Sequence, residues 1–334
     1  MPRTIPLIRA ANLFPIVRWM EANQVDAAAR LAAADLSYWY ALSPLDPIPV
    51  LNGLAVLRDL TTGHGPDVGA LIVDQGTVRE LGMLGGVALG ARTPAEAMQR
   101  VAFALPLHST HEQLRVERRD GYLTITHAFS IPVAADAQHA VQILFSSMIQ
   151  QLCRFTGMKP PLITRIEATA HPEHGLEGFA RRFDAEIAEA KSSALTLWIK
   201  DDVAINPFRT VARDRAATTD LRSIPPLAEE MTLSGTLRSV INVMLHDGVP
   251  SIERAADAGG MSVRTLQRRL AEDGTSFTEL LDLERRKVAL RLLGDADADL
   301  GALTLRLGYS APSAMSRAIR RLTGSSPSRI RGYG

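Results

Sequence analysis

Cysteine is almost absent from this 334-residue chain, in which Cys153 stands alone. One thiol closes no internal disulfide, and without a cysteine cluster there is no thiolate set for structural zinc. Long apolar runs are missing too. No stretch reaches the ~18 uncharged residues that a membrane span requires. The first residues carry Arg3, Arg9 and Arg18 without an apolar block ending in a small-residue cleavage site. A cytoplasmic location, with no leader and no membrane partner, is the expectation. Also lacking is a nucleophile with an adjacent base: Ser146 and Ser147 fall in a helical stretch with none assigned. That argues against an enzyme, and no cofactor is implied. His108/His111 and His171/His174 repeat a three-residue spacing. No carboxylate or cysteine falls in register to complete a metal set, so these rings are expected to be solvated and no metal is expected.

Lysine is nearly missing from the last third. Residues 233–334 hold 15 Lys+Arg, of which only Lys287 is lysine, against 11 Asp+Glu, a net of +4. The remainder of the chain nets −3. An acidic front and an arginine-dominated back suggest a polyanion partner for the back, since the guanidinium fork suits phosphate and guanine better than an ammonium does.

What is present reads as folded: 46% hydrophobic and 22% charged residues, in a chain long enough for two domains. The segment from Asp26 to Ala34 is apolar all round and is expected to be buried. A second helical stretch covers Leu51 to Leu60, and Thr61 to Asp67 forms a turn cluster. Thr93 and Pro94 supply an N-cap and a first helical position, with Glu96 beyond. Asp120-Gly121, between Leu114–Arg119 and Tyr122–Phe129, is a two-residue hairpin signal. A long helix from Asp136 to Phe155 carries Val141, Leu144, Phe145, Met148, Ile149 and Leu152 on one face. A strand (Thr164 to Ala170), a helix (Leu176 to Phe183) and a last strand pair, Ala185–Ala190 with Leu195–Lys200, complete the front half. The fold class expected is an α+β N-terminal sensor domain, helices plus a small mainly antiparallel sheet, over residues 1–212. A polar, proline-bearing linker, 213–232, then leads to an all-α domain, 233–334.

That last domain carries the functional signal. Ile252 to Ala258 reads as a short helix and Gly259-Gly260-Met261 as a turn. Ser262 caps a second helix, Val263 to Glu272. Val263, Leu266 and Leu270 form its buried stripe, and at 100° per residue Arg264, Thr265 and Arg268 face away, with Gln267 to one side. Helix, glycine-bearing turn and arginine-faced helix is the build of a major-groove reader. A second copy starts at Leu300, with Leu303 and Leu307 inward. Gly308-Tyr309 turns it, Ser310 caps it, and Met315, Ala318, Ile319 and Leu322 point inward; Ser313, Arg317, Arg320 and Arg321 point outward. Thr278 to Leu293 is an amphipathic linking helix, with Leu281, Val288, Leu292 and Leu293 apolar. It can hold the two units ~34 Å apart, one duplex turn, so that a single chain reads neighbouring grooves.

Residues 233–334 resemble the DNA-binding domain of the AraC/XylS family of bacterial transcription regulators. The stretch LGYSAPSAMSRAIRRLTGSSPSRIR, Leu307 to Arg331, follows that family's second unit, and MSVRTLQRRLAEDGTSF, Met261 to Phe277, its first. Met315, Thr304 and Gly301 depart from the pattern and loosen the second unit's core. The resemblance implies base-reading positions at Arg264, Gln267 and Arg268, and at Pro312, Ser313 and Arg317. Ser262, Thr265, Arg269, Ser316, Arg320 and Arg321 complete the expected DNA-binding set. The front half is similar to the ligand-sensing domain of regulators of ornithine utilisation and virulence, supported by the Leu81–Gly90 glycine-rich stretch and the TPAEA helix entry. That similarity implies a small-molecule effector without naming one. Arg115 and Arg119 on a strand are candidates to meet an anionic effector. The expected partners are double-stranded promoter DNA, an effector, RNA polymerase and a second copy of the chain. Two alternatives stand beside this reading. One is a constitutive DNA binder whose front half only dimerises or contacts polymerase; the other is a helical adaptor for protein or RNA without DNA specificity.

Overall fold

The structure, a computed structural model, describes residues 4–74, 76–209 and 220–293, with Leu307, Ser313, residues 315–317 and Arg320 beyond them. Strand β1 (Leu7–Arg9) pairs antiparallel with β2 (Pro47–Pro49), and between them lie helices α1 (Phe14–Ala22) and α2 (Ala27–Ala33). The Asp26 carboxylate caps α2 by accepting from Ala29 N at 2.9 Å. Only Ala27 and Leu31 of α2 are buried. The all-round burial expected for this segment is therefore not found; alanine loses little by staying in water.

Four helices and a capped fifth build the wall behind. They are α3 (Val50–His64), α4 (Val68–Ile72), α5 (Thr77–Glu80), α6 (Met83–Leu89) and α7 (Pro94–Ala104). Helix α3 continues through Thr61, where a turn was expected, and stops only at Gly65, whose φ of 94° suits glycine. Thr93 caps α7 as anticipated: its hydroxyl accepts from Glu96 N at 3.2 Å, while Glu96 accepts from Arg92 N at 2.8 Å.

The hairpin of β3 (Glu112–Arg119) and β4 (Tyr122–Phe129) turns on Asp120 and Gly121, both at positive φ, 53° and 81°. That is the two-residue turn whose twist matches paired strands. Helix α8 (Ala135–Arg154), β5 (Arg165–Ala168), α9 (Glu177–Arg182), β6 (Glu186–Glu189), β7 (Leu195–Lys200) and α10 (Asp201–Ala204) follow. The five-stranded sheet has the order β3-β4-β7-β5-β6. This corrects the expected pairing of the last two strands: β5 lies between them and pairs with β6 in parallel. A crossover through α9 makes that parallel pair possible, where the sequence between β6 and β7 suggested a simple hairpin. The remaining pairings are antiparallel.

Helix α8 lies between the sheet and the wall helices. It can approach α4 closely because residue 69 is glycine: a Cβ there would stand 2.8 Å from Ala140 O and Leu144 N. Under the sheet, Leu123, Ile125, Leu197 and Ile199 pack with Ile143, Ile149 and Cys153 of α8.

Helices α11 (Leu233–Met244), α12 (Ile252–Ala258), α13 (Val263–Glu272) and α14 (Phe277–Leu293) finish the described chain. Their apolar core is continuous with that of the first sixty residues: Leu7, Leu36, Ile48 and Leu57 belong to the same cluster as Leu237, Ile241, Leu266 and Leu270. Polar ties cross the same boundary. Ile5 N donates to Thr236 Oγ1 at 3.0 Å, and Arg254 pairs with Asp35 at 2.6 Å and with Asp247 at 3.3 Å.

Cys153 is wholly buried, and burial pushes its thiol up to about 12. Since the thiolate is the reactive form, roughly one molecule in 10⁴ carries it at pH 8. Native protein is expected to resist alkylation by iodoacetamide at that pH, while protein unfolded in guanidinium gains one adduct. Mass spectrometry of both samples checks this; prompt labelling of the native chain would contradict it.

Candidate nucleic-acid interface and buried cavity

Ser251 caps α12 by accepting from Arg254 N, and Ser262 caps α13 by accepting from Thr265 N at 3.2 Å. Between them Gly260 takes φ of 61°, the left-handed turn that reverses the chain. Leu266 and Leu270 are fully buried and fix which face of α13 looks outward. Ser262, Arg264, Gln267 and Arg268 are exposed; Thr265 and Arg269 are half-buried. Thr265 Oγ1 lies 2.9 Å from Ser262 Oγ, so the two hydroxyls share a bond at the helix start. Arg268 pairs with Glu272 one turn on, and both side chains are more than half exposed. Water screens such a pair, leaving the guanidinium free to exchange partners at little cost.

Helix α14 braces this unit. Glu284 is 5% exposed and accepts from Arg238 of α11 at 2.7 Å, while Lys287 reaches Glu229 at 2.9 Å. Leu281 and Val288 are buried, as the sequence pattern required; the side chains of Leu292 and Leu293 lie outside the described residues. In the second unit Leu307 and Met315 are buried, Ser313, Arg317 and Arg320 are exposed, and Ser316 is half-buried. Gly301, Thr304, Ser310, Pro312, Ala318, Ile319, Arg321, Leu322 and Gly324 lie outside the described residues, as do residues 213–219 of the linker.

A cavity of about 120 Å³ opens between α3, α6, α7, α8 and the hairpin. That is ample for more than one water and comparable to voids that accept a small ring. Its walls include the face of α8 expected to be plain core, among them Val141, Phe145 and Met148. Among the described residues, the polar side chains that enter it are Asn12, His108, Glu112 and His127. The hairpin register sets Leu114 opposite His127, so Glu112 sits diagonally across from the ring, and His127 Nε2 donates to Glu112 Oε2 at 2.9 Å. Burial opposes the Glu112 charge. The His127 hydrogen bond and the two nearby imidazoles outweigh it and hold the carboxyl below its ordinary value. Burial pushes His108 down to about 4, so its ring is neutral near pH 7. The Nδ1 atoms of both His108 and His127 are buried without a protein partner.

Arg115 and Arg119 lie on the other face of β3, 75% and 85% exposed, beside Glu117 and Asp120 respectively. Neither lines the cavity. The expectation of solvated histidines also needs correction: His108 and His171 are 2% and 9% exposed. Among the described residues no group of three or more His, Cys, Asp or Glu is placed to hold a metal, and no helix is long and apolar enough to cross a membrane. Glu112 and His127 were missed from sequence. The available signal was parity, because both occupy the hairpin face that carries Leu123 and Ile125.

Comparison with known proteins gives two family matches. The N-terminal arabinose-binding domain of AraC transcription regulators matches residues 25–193, and a helix-turn-helix domain matches residues 255–333. The HTH-type transcriptional regulator VirS of Mycobacterium tuberculosis is 39% identical over 120 residues, 36% of this chain and 35% of that protein. The chain thus spans about a third of the length of that curated relative. The ornithine utilization regulator of Pseudomonas aeruginosa is 25% identical over 271 residues, 80% of this chain and 78% of its own length. The crystal structure of the transcriptional regulator CdpR from Pseudomonas aeruginosa aligns with a TM-score of 0.43 at 18% identity, covering 96% of this chain and 98% of that one.

The division of α13 into an anchoring and an outward face has a direct test. Leu266→Ala is expected to cost about 2–5 kcal/mol of stability through the void it leaves. Arg264→Ala should stay within about 0.5 kcal/mol of the parent because its side chain makes no buried contact. Denaturant melts of both variants measure this; a large loss in R264A would mean that the arginine supports the fold.

Proposed function

The chain belongs to the AraC family of transcription regulators, and on that premise we propose that it binds promoter DNA sequence-specifically and that an effector in the N-terminal cavity adjusts this binding. Residues 1–212 sense and residues 233–334 read, with 213–232 between. The observation that carries the reading is the outward trio Arg264, Gln267 and Arg268 on a capped helix whose other side is locked by Leu266 and Leu270. A bidentate guanidinium suits guanine O6 and N7, and a carboxamide suits adenine. Arg317 and Arg320 are exposed in the second unit, where Ala311, Pro312 and Ala314 offer few base-reading groups. That unit is therefore assigned mainly to phosphate. The acidic partner of Arg268 gives way to DNA, whose phosphates present a denser negative charge. Self-association and contact with RNA polymerase belong to the same proposal.

Effector control needs the two ends to share a moving part, because a ligand shifts output only if it favours one conformation over another. Helix α3 fits that requirement. Val50, Gly53, Leu54 and Leu57 line the cavity, while a Cβ on Gly260 would stand 2.8 Å from Leu51 Cδ1. The helix that walls the cavity thus packs, through Leu51 on another of its faces, against the turn that precedes α13.

Two variants test the DNA assignment. Arg268→Ala is expected to flatten base preference at one or two positions of a site selected from random DNA. Arg317→Ala should weaken all sites alike and reduce the slope of log K against log salt by about 1. Equal loss of base preference in both variants would overturn the division of labour, and binding without any preference in the parent would overturn the regulator reading.

A further inference from the structure

We propose that the cavity takes an apolar molecule ending in a hydroxyl group, held at the end where His108, Glu112 and His127 meet. This rests on the reading of the cavity as the effector site, and it goes further by naming the ligand's chemistry. Three observations carry it. First, apart from Asn12 and those three residues the lining is apolar side chains and Gly53. A sugar, with a hydroxyl on nearly every carbon, would lose most of its hydrogen bonds on entry, although the matching family domain is described as arabinose-binding. Second, the polar end is a built site. His108 and His127 are each 2% exposed, both line the cavity, and each has an Nδ1 with no partner in the protein. Buried polar atoms are almost always paired in folded proteins. Third, His127 Nε2 already gives its proton to Glu112 at 2.9 Å, which leaves Nδ1 of that ring as an acceptor without a partner.

The head group follows from that arrangement. A hydroxyl can donate to His127 Nδ1, which is left an acceptor once Nε2 gives its proton to Glu112, and its lone pairs can accept from His108 in the tautomer that carries the proton on Nδ1. A carboxylate can only accept, and it would bring a second negative charge beside Glu112. An ammonium can only donate, and it must shed its full hydration shell to enter an apolar chamber where the one carboxylate is already engaged. Phe145 stacks on His127 at 4.7 Å between centroids and also lines the cavity, so the ring that holds the head is itself held in place.

The test uses the full chain and probes matched in length: 1-octanol, octanoate and octylamine, with L-arabinose as the sugar. 1-Octanol is expected to raise the melting temperature by about 3 °C or more at saturation, and octanoate, octylamine and arabinose by less than about 1 °C. In Glu112→Gln the penalty on octanoate should fall, narrowing the gap between the acid and the alcohol at least threefold in Kd. Equal or tighter binding of octanoate or octylamine to the parent overturns the hydroxyl assignment while leaving the cavity as an effector site. No shift with any octyl probe, in protein that still binds its DNA, overturns both the assignment and the effector reading. Since the probe series is run on the parent chain, the result does not depend on E112Q folding.

Discussion

A single buried guanidinium ties together three segments far apart in the chain. Arg9, 1% exposed, donates to the carbonyl oxygens of Leu45, Leu107 and Pro225. Those three segments lie before β2, at the polar end of the cavity and immediately ahead of α11. Burial brings the group down to about 10 against the pull of the Asp46 carboxylate, so it stays charged near pH 7. Five N–H donors in one rigid plane make arginine the side chain able to collect several backbone acceptors at once. Its own backbone N–H donates to His108 O at 3.0 Å, next to one of the unpartnered rings. A change at the polar end of the cavity is thus one residue from the bond network that fastens the segment leading into the helix-turn-helix unit.

The apolar core makes the same connection by packing. Close-packed interiors transmit displacement because no neighbour can yield without moving the next. With α3 lining the cavity on one side and meeting the Gly260 turn through Leu51 on the other, the relay proposed above would pass through side chains in van der Waals contact. The polar segment between the two halves adds a second route at Pro225. Arg254, tied to Asp35 and Asp247, fixes the register of α12 against the first helices. At Asp35, burial and the nearby Asp247 and Asp257 carboxylates outweigh this attraction and hold the carboxyl above its ordinary value, whereas at Arg254 burial is outweighed by the two carboxylates, which hold the guanidinium charged. The ion pair therefore defines an orientation more than it adds stability.

Much of this was legible in the sequence where local chemistry and periodicity agreed. The Thr93 cap, the Asp120-Gly121 turn, the anchoring stripe Leu266/Leu270 and the extent of α8 follow from short-range rules that tertiary packing had no reason to override. The order of the sheet was not legible, because β6 and β7 are close in sequence and only the crossover through α9 decides that β5 comes between them. The cavity was hidden for a subtler reason. An apolar face at helical spacing looks the same whether it meets side chains or a void, so Val141, Phe145 and Met148 read as core. Arg115 and Arg119 drew attention as charges on a strand, while the hairpin register puts Glu112 and His127, not them, on the inner face. A polar residue at buried parity is the more telling signal, and the two-residue turn already contained the register needed to see it.

That cavity also has a thermodynamic role. Space of about 120 Å³ among apolar side chains leaves its lining without dispersion partners on one side. A molecule that fills it restores those contacts, and the gain falls on the elements that form the walls. Helix α3 is one of them, and its Leu51 packs against the Gly260 turn. On the proposed reading, a ligand that favours one arrangement of α3 by about 1.4–2.8 kcal/mol would shift the balance between two orientations of α13 by a factor of ten to a hundred. The effect on DNA then needs no contact between ligand and reading helix. It requires only that α3 be better packed in the arrangement that presents Arg264, Gln267 and Arg268 together than in the one that does not.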